Sequence, residues 1–192
     1  VPAACIAGRL LARRGDVKKA ARIVEAAWKA NPHPDLAKVY LGLRPGDSVR
    51  DRLARAEVLA KLSVWDPESR LALGQAALDA RDYKRAREAV KPLLSDRPTA
   101  RACLMMAAIE EAEHGAASGQ AREWLARAAR APRDRVWIAD GIATDTWAPV
   151  SPVTAVKPAS KSSATSSSSA ALSGVGSPSN CPVSTTVITV LP

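Results

Sequence analysis

Residues 3–32 read AACIAGRLLARRGDVKKAARIVEAAWKANP, and residues 69–98 read SRLALGQAALDARDYKRAREAVKPLLSDRP. Laid over one another, the two stretches agree at spaced positions. Gly8, Leu11, Gly15, Ala20, Val24, Ala27 and Pro32 fall opposite Gly74, Ala77, Arg81, Ala86, Val90, Leu93 and Pro98. Five of the seven pairs keep their type or a close substitute, two periods of thirty-three residues apart. Self-similarity at a fixed period marks a repeat architecture. Small residues at 8 and 20, or 74 and 86, let two helices approach closely. A bulky residue at 24 or 90 fills the gap between units, and Pro32 or Pro98 stops the second helix. The turns Arg13-Arg14-Gly15-Asp16 and Ala80-Arg81-Asp82-Tyr83 each place an Asp where it can cap the second helix.

This spacing resembles the tetratricopeptide pattern and implies an all-α, tetratricopeptide-like solenoid of about four helical hairpins over residues 1–131. The second hairpin is irregular. Leu36–Leu43 forms its first helix, Gly42 and Ala54 fall at offset 34, and Arg44-Pro45-Gly46-Asp47-Ser48 breaks the chain. Asp47 or Ser48 then caps a helix from about Val49 to Trp65. In the last unit a helix over Thr99–His114, a turn at 115–119 and a helix from about Gln120 to Arg130 precede Pro132. Residues 132–156 carry Trp137, Trp147, Pro149 and Pro152 and read as an irregular cap over the end of the stack. Residues 157–192 hold two Lys, no acid and eleven Ser in 36 positions, a composition expected to stay disordered.

Composition is in keeping with packed helices. Ala makes up about a fifth of the 192 residues and Phe is absent, whereas a β-sandwich needs β-branched and aromatic runs. No stretch approaches the ~18–20 consecutive apolar residues of a membrane span. Cys5, Cys103 and Cys181 are odd in number and far apart, which predicts no disulfide framework and a reducing compartment. The start at Val1 shows no signal-peptide pattern and reads as the interior of a longer protein.

Residues with chemical capability are few. His33 lies in Asn31-Pro32-His33-Pro34 and reads as a solvated loop residue. Glu110 and His114 share a helix face and could supply two metal ligands, but no third is near in sequence. A His placed favourably at a helix C-terminus is the plainer reading, and no metal is expected. Cys5 and Cys103 read as small core residues. No phosphate-cradling glycine motif and no Cys-x-x-Cys is present, and the tail serines have no base to activate them. The expectation is a non-enzyme without a cofactor. A haem or porphyrin on His33, His114 or a Cys is left open, with no motif behind it.

The formal charge is +9, and Arg81, Lys84, Arg85, Arg87 and Lys91 cluster on one helix, as do Arg50, Arg52 and Arg55 on another. A soluble basic repeat protein that binds nucleic acid is therefore the alternative reading. Against it, acids are interleaved four residues away (Glu25 with Lys29, Asp51 with Arg55, Glu57 with Lys61, Lys84 with Glu88, Glu123 with Arg127), and no aromatic punctuates the arginines. Positions 5 and 9 of each unit line the groove of such a stack, giving Cys5 and Arg9, Leu71 and Gln75, Leu104 and Ala108. With Arg9, Arg13 and Gln75 as polar points and Leu71 apolar, the groove fits an extended or helical protein segment.

Three stretches carry a more specific resemblance: Glu110-Glu-Ala-Glu-His-Gly115, Ala121-Arg-Glu-Trp-Leu-Ala-Arg-Ala128 with Ala131-Pro-Arg-Asp134, and Trp137-Ile-Ala-Asp-Gly141 followed by Trp147-Ala-Pro-Val-Ser-Pro-Val153. Over about residues 3–154 the chain resembles the C-terminal half of the HemY-type tetratricopeptide proteins of proteobacteria. The resemblance implies a haem-biosynthesis accessory protein on the cytoplasmic face of the inner membrane, held by an N-terminal anchor upstream of Val1. It implies scaffolding of haem-pathway enzymes as the role, with no catalytic residues. The Ser-rich stretch after Val153-Thr154 departs from the acidic and aromatic end usual in the family.

Overall fold

The computed structural model describes residues 1–95, 97–115, 117–134, 137–139 and 142–144, with Ala148. The architecture is all-α apart from one small hairpin. Its helices are α1 (Pro2–Arg13), α2 (Val17–Ala30), α3 (Pro34–Leu41), α4 (Val49–Leu62), α5 (Pro67–Asp79), α6 (Tyr83–Val90), α7 (Ala100–His114) and α8 (Gly119–Ala128). Each packs on the helix that follows it, and α1 packs on α3, α3 on α5, α5 on α7 and α2 on α4.

Local chemistry explains the boundaries. Ser48, not Asp47, caps α4 in a reciprocal box: its Oγ accepts from Asp51 N at 3.2 Å, and the Asp51 carboxylate accepts from Ser48 N at 3.1 Å. Those bonds also hold the Asp51 carboxyl below its ordinary range. The Asp47 carboxylate lies 2.5 Å from Arg55 Nη2 instead. Helix α4 stops at Leu62, short of Trp65, because Asp66-Pro67 starts α5. A residue before Pro is driven to extended backbone, and Asp66 (φ −81°, ψ 133°) accepts from Glu68 N at 2.8 Å. Pro92 cannot donate to the ladder, so α6 tightens after Val90 into a 3-10 turn over Lys91–Leu94. Of the two expected Asp caps, Asp82 accepts from Arg85 N at 3.1 Å, whereas Asp16 makes no cap bond and faces Lys19 at 3.9 Å.

The sixty-six-residue repeat survives into atomic detail. Gly15 N donates to Ala12 O at 3.0 Å and Asp16 N to Leu11 O at 2.9 Å. Arg81 N donates to Leu78 O and Asp82 N to Ala77 O, both at 2.9 Å. Both turns are Schellman closures with the pivotal residue left-handed, Gly15 at φ +85° and Arg81 at φ +59°. The helix contacts repeat as well. A Cβ on Gly8 would lie 2.9 Å from Val24 Cγ2 and 3.1 Å from Val39 Cγ1. A Cβ on Gly74 would lie 2.8 Å from Val90 Cγ2 and 3.9 Å from Met105 Cγ. Each trio joins both helices of one hairpin to the first helix of the next. Ala20 and Ala86, the other small positions, are fully buried, and Pro32 and Pro98 fall in the connections after the second helices.

In the irregular second unit Ala54 is exposed, and the fully buried small residue of α4 is Ala56, two positions on. The buried apolar residues gather in two clusters. One cluster centres on Val24, Trp28, Leu36 and Leu59, with Trp28 Nε1 donating to Leu59 O at 3.2 Å. A second gathers Ala77, Ala86, Val90, Met106 and Ile109. The helical unit extends over Val1–Asp134, because the strand of chain after α8 returns to the start of α7. Pro132 O accepts from Ala100 N at 3.0 Å, and the Asp134 carboxylate accepts from Arg101 N at 2.9 Å.

Residues from 135 onward belong to a second unit. Where a purely irregular segment is expected, Trp137–Ala139 and Ile142–Thr144 form an antiparallel hairpin with Trp137 opposite Thr144 and Ala139 opposite Ile142. Trp147 and the Ser-rich residues 157–192 lie outside the described residues, and so does the side chain of Trp137.

Candidate functional site

The proposed groove positions separate into two groups. Arg9 and Arg13 are exposed one turn apart on α1, and Gln75, the repeat equivalent of Arg9, is exposed on α5 with its Nε2 donating to Asp79 Oδ1 at 2.8 Å. Leu71 does not line a groove: it is buried, as is its equivalent Cys5. Position 5 faces the following hairpin wherever one is present, and only Leu104 on α7, the last such position described, is open at 48% exposure. Helices α1 and α5 are bridged by α3, so Arg9, Arg13 and Gln75 stand along one row of helices rather than in one pocket.

The charged residues are spent largely between helices. Glu68 on α5 grips Arg101 on α7 with both oxygens, at 2.5 and 3.0 Å. Burial opposes the Arg101 charge, yet that pair holds its guanidinium proton more tightly than usual. Arg85 on α6 meets Glu57 on α4 at 2.6 Å, and Tyr40 Oη donates to Glu25 Oε1 at 2.5 Å. Burial and that carboxylate raise the Tyr40 phenol above its ordinary value. Arg87 bonds Glu113, which raises its pKa, and donates from Nε to the buried Glu110 at 3.2 Å. Of the four-residue pairs expected on exposed faces, Glu123–Arg127 forms at 2.6 Å, while Glu25, Arg55 and Glu57 take the partners just named. For Glu25 and Glu57 the interhelical partner wins because helix packing brings it close at no cost in extra ordering of long side chains, whereas Arg55 pairs with Asp47 of the turn before α4. Arg55, Arg85 and Arg87 are thus already neutralised within the two basic clusters.

Residues with chemical capability are placed conservatively. His33 is no solvated loop residue: its side chain is only 17% exposed, and its Nδ1 accepts from Asp35 N at 3.2 Å as the N-cap of α3. Burial lowers its pKa, favouring the neutral ring that this cap requires. His114 Nδ1 lies 3.2 Å from Glu110 Oε2, with Arg87 on the other carboxylate oxygen. Among the described residues no group of three or more His, Cys, Asp or Glu converges as a metal site. Burial pushes both Cys5 and Cys103 thiols up, away from the thiolate that a ligand or nucleophile needs. Sequence reasoning missed Trp65, which stands 90% exposed in the α4–α5 turn beside Val64. Its signal was the Asp66-Pro67 helix start, which ejects the preceding residues from α4.

Over 102 residues the chain is 32% identical to the probable magnetosome protein Mms48 of Magnetospirillum gryphiswaldense. The match takes in 52% of this chain and 23% of that protein, so the chain spans about a quarter of the relative's length. No protein-family model and no solved structure matches the chain. Among the described residues no helix is long and apolar enough to cross a membrane.

Proposed function

We propose that residues 1–131 are a tetratricopeptide-like stack of helical hairpins that acts as a non-catalytic protein-binding scaffold. The observation that carries this reading is the duplicated trio, Gly8–Val24–Val39 and Gly74–Val90–Met105, with its duplicated Schellman turns. A repeated hairpin-to-hairpin junction is what a solenoid is made of, and a solenoid offers a long surface for a protein segment. Arg9, Arg13 and Gln75, exposed along one row of helices, are the polar points of that surface. The resemblance to HemY-type proteins assigns the scaffold to a haem-pathway accessory protein on the inner membrane, with haem-pathway enzymes as partners. The similarity to Mms48 favours a second setting, a magnetosome protein built on the same kind of scaffold. Nucleic-acid binding loses ground because Arg55, Arg85 and Arg87 are held by acids of the same chain.

Affinity capture with the full-length anchored protein, as wild type and as Arg9→Glu/Arg13→Glu, tests the reading. Wild type should retain a defined protein partner, and the double variant should lose it. Equal capture by both would remove the groove from the account. Tight RNA binding that weakens steeply from about 50 to 200 mM salt would replace the scaffold reading with the nucleic-acid one.

A further inference from the structure

We propose that the cavity between the α6–α7 connection and the end of α8 binds an acidic segment of a partner protein, taking an Asp or Glu carboxylate together with an aliphatic neighbour. The protein nature of the occupant rests on the scaffold reading above. The cavity shares no residue with the row of Arg9, Arg13 and Gln75, so the two are tested apart. It measures about 540 Å³, inside the ~300–1,000 Å³ of ligand pockets. Its walls are held in place. Ala100 N donates to Pro132 O at 3.0 Å and Arg101 N to the Asp134 carboxylate at 2.9 Å, which ties the chain after α8 to the start of α7. Pro98 and Pro132, both in the wall, have their φ fixed by the ring.

Arg97, Arg127 and Arg130 line the cavity with one acid, Glu123. Glu123 is already taken. It accepts from Arg127 Nη2 at 2.6 Å, and the Arg127 guanidinium also lies 4.6 Å from the centre of the Trp124 ring. Arg130 Nε donates to Ala126 O at 3.3 Å, which leaves its two terminal nitrogens without a partner among the described residues. Arg97 is exposed and has no hydrogen bond or ion pair among the described residues. Two cations without an acid therefore border one concavity. Cations at the end of a helix are ordinary, and Arg127 and Arg130 alone would ask for no ligand. Arg97 comes from a different connection and owes nothing to the α8 dipole. Its arrival beside Arg130 is the observation that asks for an anion.

The rest of the wall selects which anion. Guanidinium forks match the two oxygens of a carboxylate. Phosphate groups favour sites rich in backbone N–H donors, such as helix N-termini. Here Pro98 and Pro132 have no N–H, and α8 meets the cavity at its C-terminus, whose carbonyl oxygens oppose a doubly charged group most. Ala126, Ala131 and the two prolines make the remaining wall apolar, and the volume far exceeds a carboxylate group. An aliphatic side chain beside the acid fills that space. Among the described residues no aromatic ring lines the cavity to stack a base, which argues against a nucleic-acid strand.

Heteronuclear NMR of the full 192-residue chain tests this through the Nε–Hε resonances of Arg97 and Arg130 and the backbone amide of Ala131. The probes are two pools of capped pentapeptides, one with a central Glu among random aliphatic residues, the other with Gln in its place. The Glu pool should shift all three resonances saturably, and the Gln pool should bind about tenfold more weakly, because hydrogen bonds to a charged group are the stronger. Arg97→Gln/Arg130→Gln, read at Ala131, should weaken the Glu pool by about tenfold as well. Both side chains are exposed, so the fold is retained, which helical circular dichroism checks. Arg127 stays in place because it holds Glu123. No saturable shift with the Glu pool, equal binding of the two pools, or a double variant that binds as wild type does overturns the proposal. Inorganic phosphate or a single-stranded RNA that binds the same resonances more tightly than the Glu pool overturns it in favour of phosphate. Those failures leave the groove reading intact, since that reading answers to the Arg9→Glu/Arg13→Glu capture.

Discussion

Replacing Gly74 with Ala places a methyl group 2.8 Å from Val90 Cγ2, well inside the 3.4–4 Å of ordinary contact. Val90 cannot yield easily. It is fully buried, and a β-branched side chain in a helix has one strongly preferred rotamer. Overpacking of this kind costs about 1–3 kcal/mol. Ala is the better helix former by about 1 kcal/mol, which offsets part of that cost. The net expectation is destabilisation of about 1 kcal/mol, or roughly 4 °C in Tm for a unit of this size. The same substitution at Gly119, which has no atom within 4 Å of its Cβ position, meets no clash and should gain a few tenths of a kcal/mol.

A double-mutant cycle gives the sign without reliance on the absolute magnitude. Val90→Ala alone should cost about 2 kcal/mol through lost burial and a cavity. On that background Gly74→Ala becomes stabilising, because its methyl enters the vacated space and the helix gains propensity. The coupling between the two sites should reach about 2 kcal/mol, against the ~0.5 kcal/mol within which independent sites add. Urea unfolding followed by helical circular dichroism measures all four proteins. If Gly74→Ala stabilises the wild-type background, or the coupling stays inside additivity, the close approach at Gly74 is not what joins the hairpins. The repeat argument would fail with it.

Three further outcomes follow from other features. Arg81 holds φ +59° where its repeat equivalent is Gly15, so Arg81→Gly should stabilise by about 0.5–1 kcal/mol and Gly15→Ala should destabilise by about 1 kcal/mol, both read from thermal unfolding. Arg87→Ala leaves the buried Glu110 carboxylate without its guanidinium and should cost about 2 kcal/mol, while Glu113→Ala, a third exposed, should cost less than about 1 kcal/mol. Arg87→Ala/Glu110→Met should recover most of the loss, and failure to do so would mean that packing rather than the buried charge sets the cost. Burial lowers the His33 pKa, so its neutral cap contributes fully above the unfolded value near ~6.5 and is lost as pH falls through the folded value. His33→Asn keeps a cap without titrating there, so the variant should gain on wild type by up to about 1 kcal/mol between pH ~7 and ~5 in urea titrations; parallel curves would reject the neutral-ring cap.

The line between what could and could not be read in advance runs through single residues. Gly8, Ala20 and Val24 were legible because both helices they join lie within one thirty-residue hairpin, where spacing alone specifies who faces whom. Val39 and Met105, themselves sixty-six residues apart, were not, since each arrives from the next hairpin, whose approach the spacing within one hairpin does not specify. Leu71 shows the same limit in the candidate groove. Spacing puts Cys5, Leu71 and Leu104 on one face of their helices, yet it does not say whether another hairpin lies over that face, and burial follows the neighbour. Charge behaves alike: Glu25 and Glu57 had partners four residues away and took others, Tyr40 and Arg85, because a packed helix supplies a partner already held in place, while Arg55 took Asp47 from the turn before its own helix. Even Arg81 was legible only as a mismatch in type, and the matching Schellman bonds show that the turn kept its geometry at the expense of backbone strain. A repeat written in sequence therefore specifies faces, while occupancy of those faces depends on position in the stack.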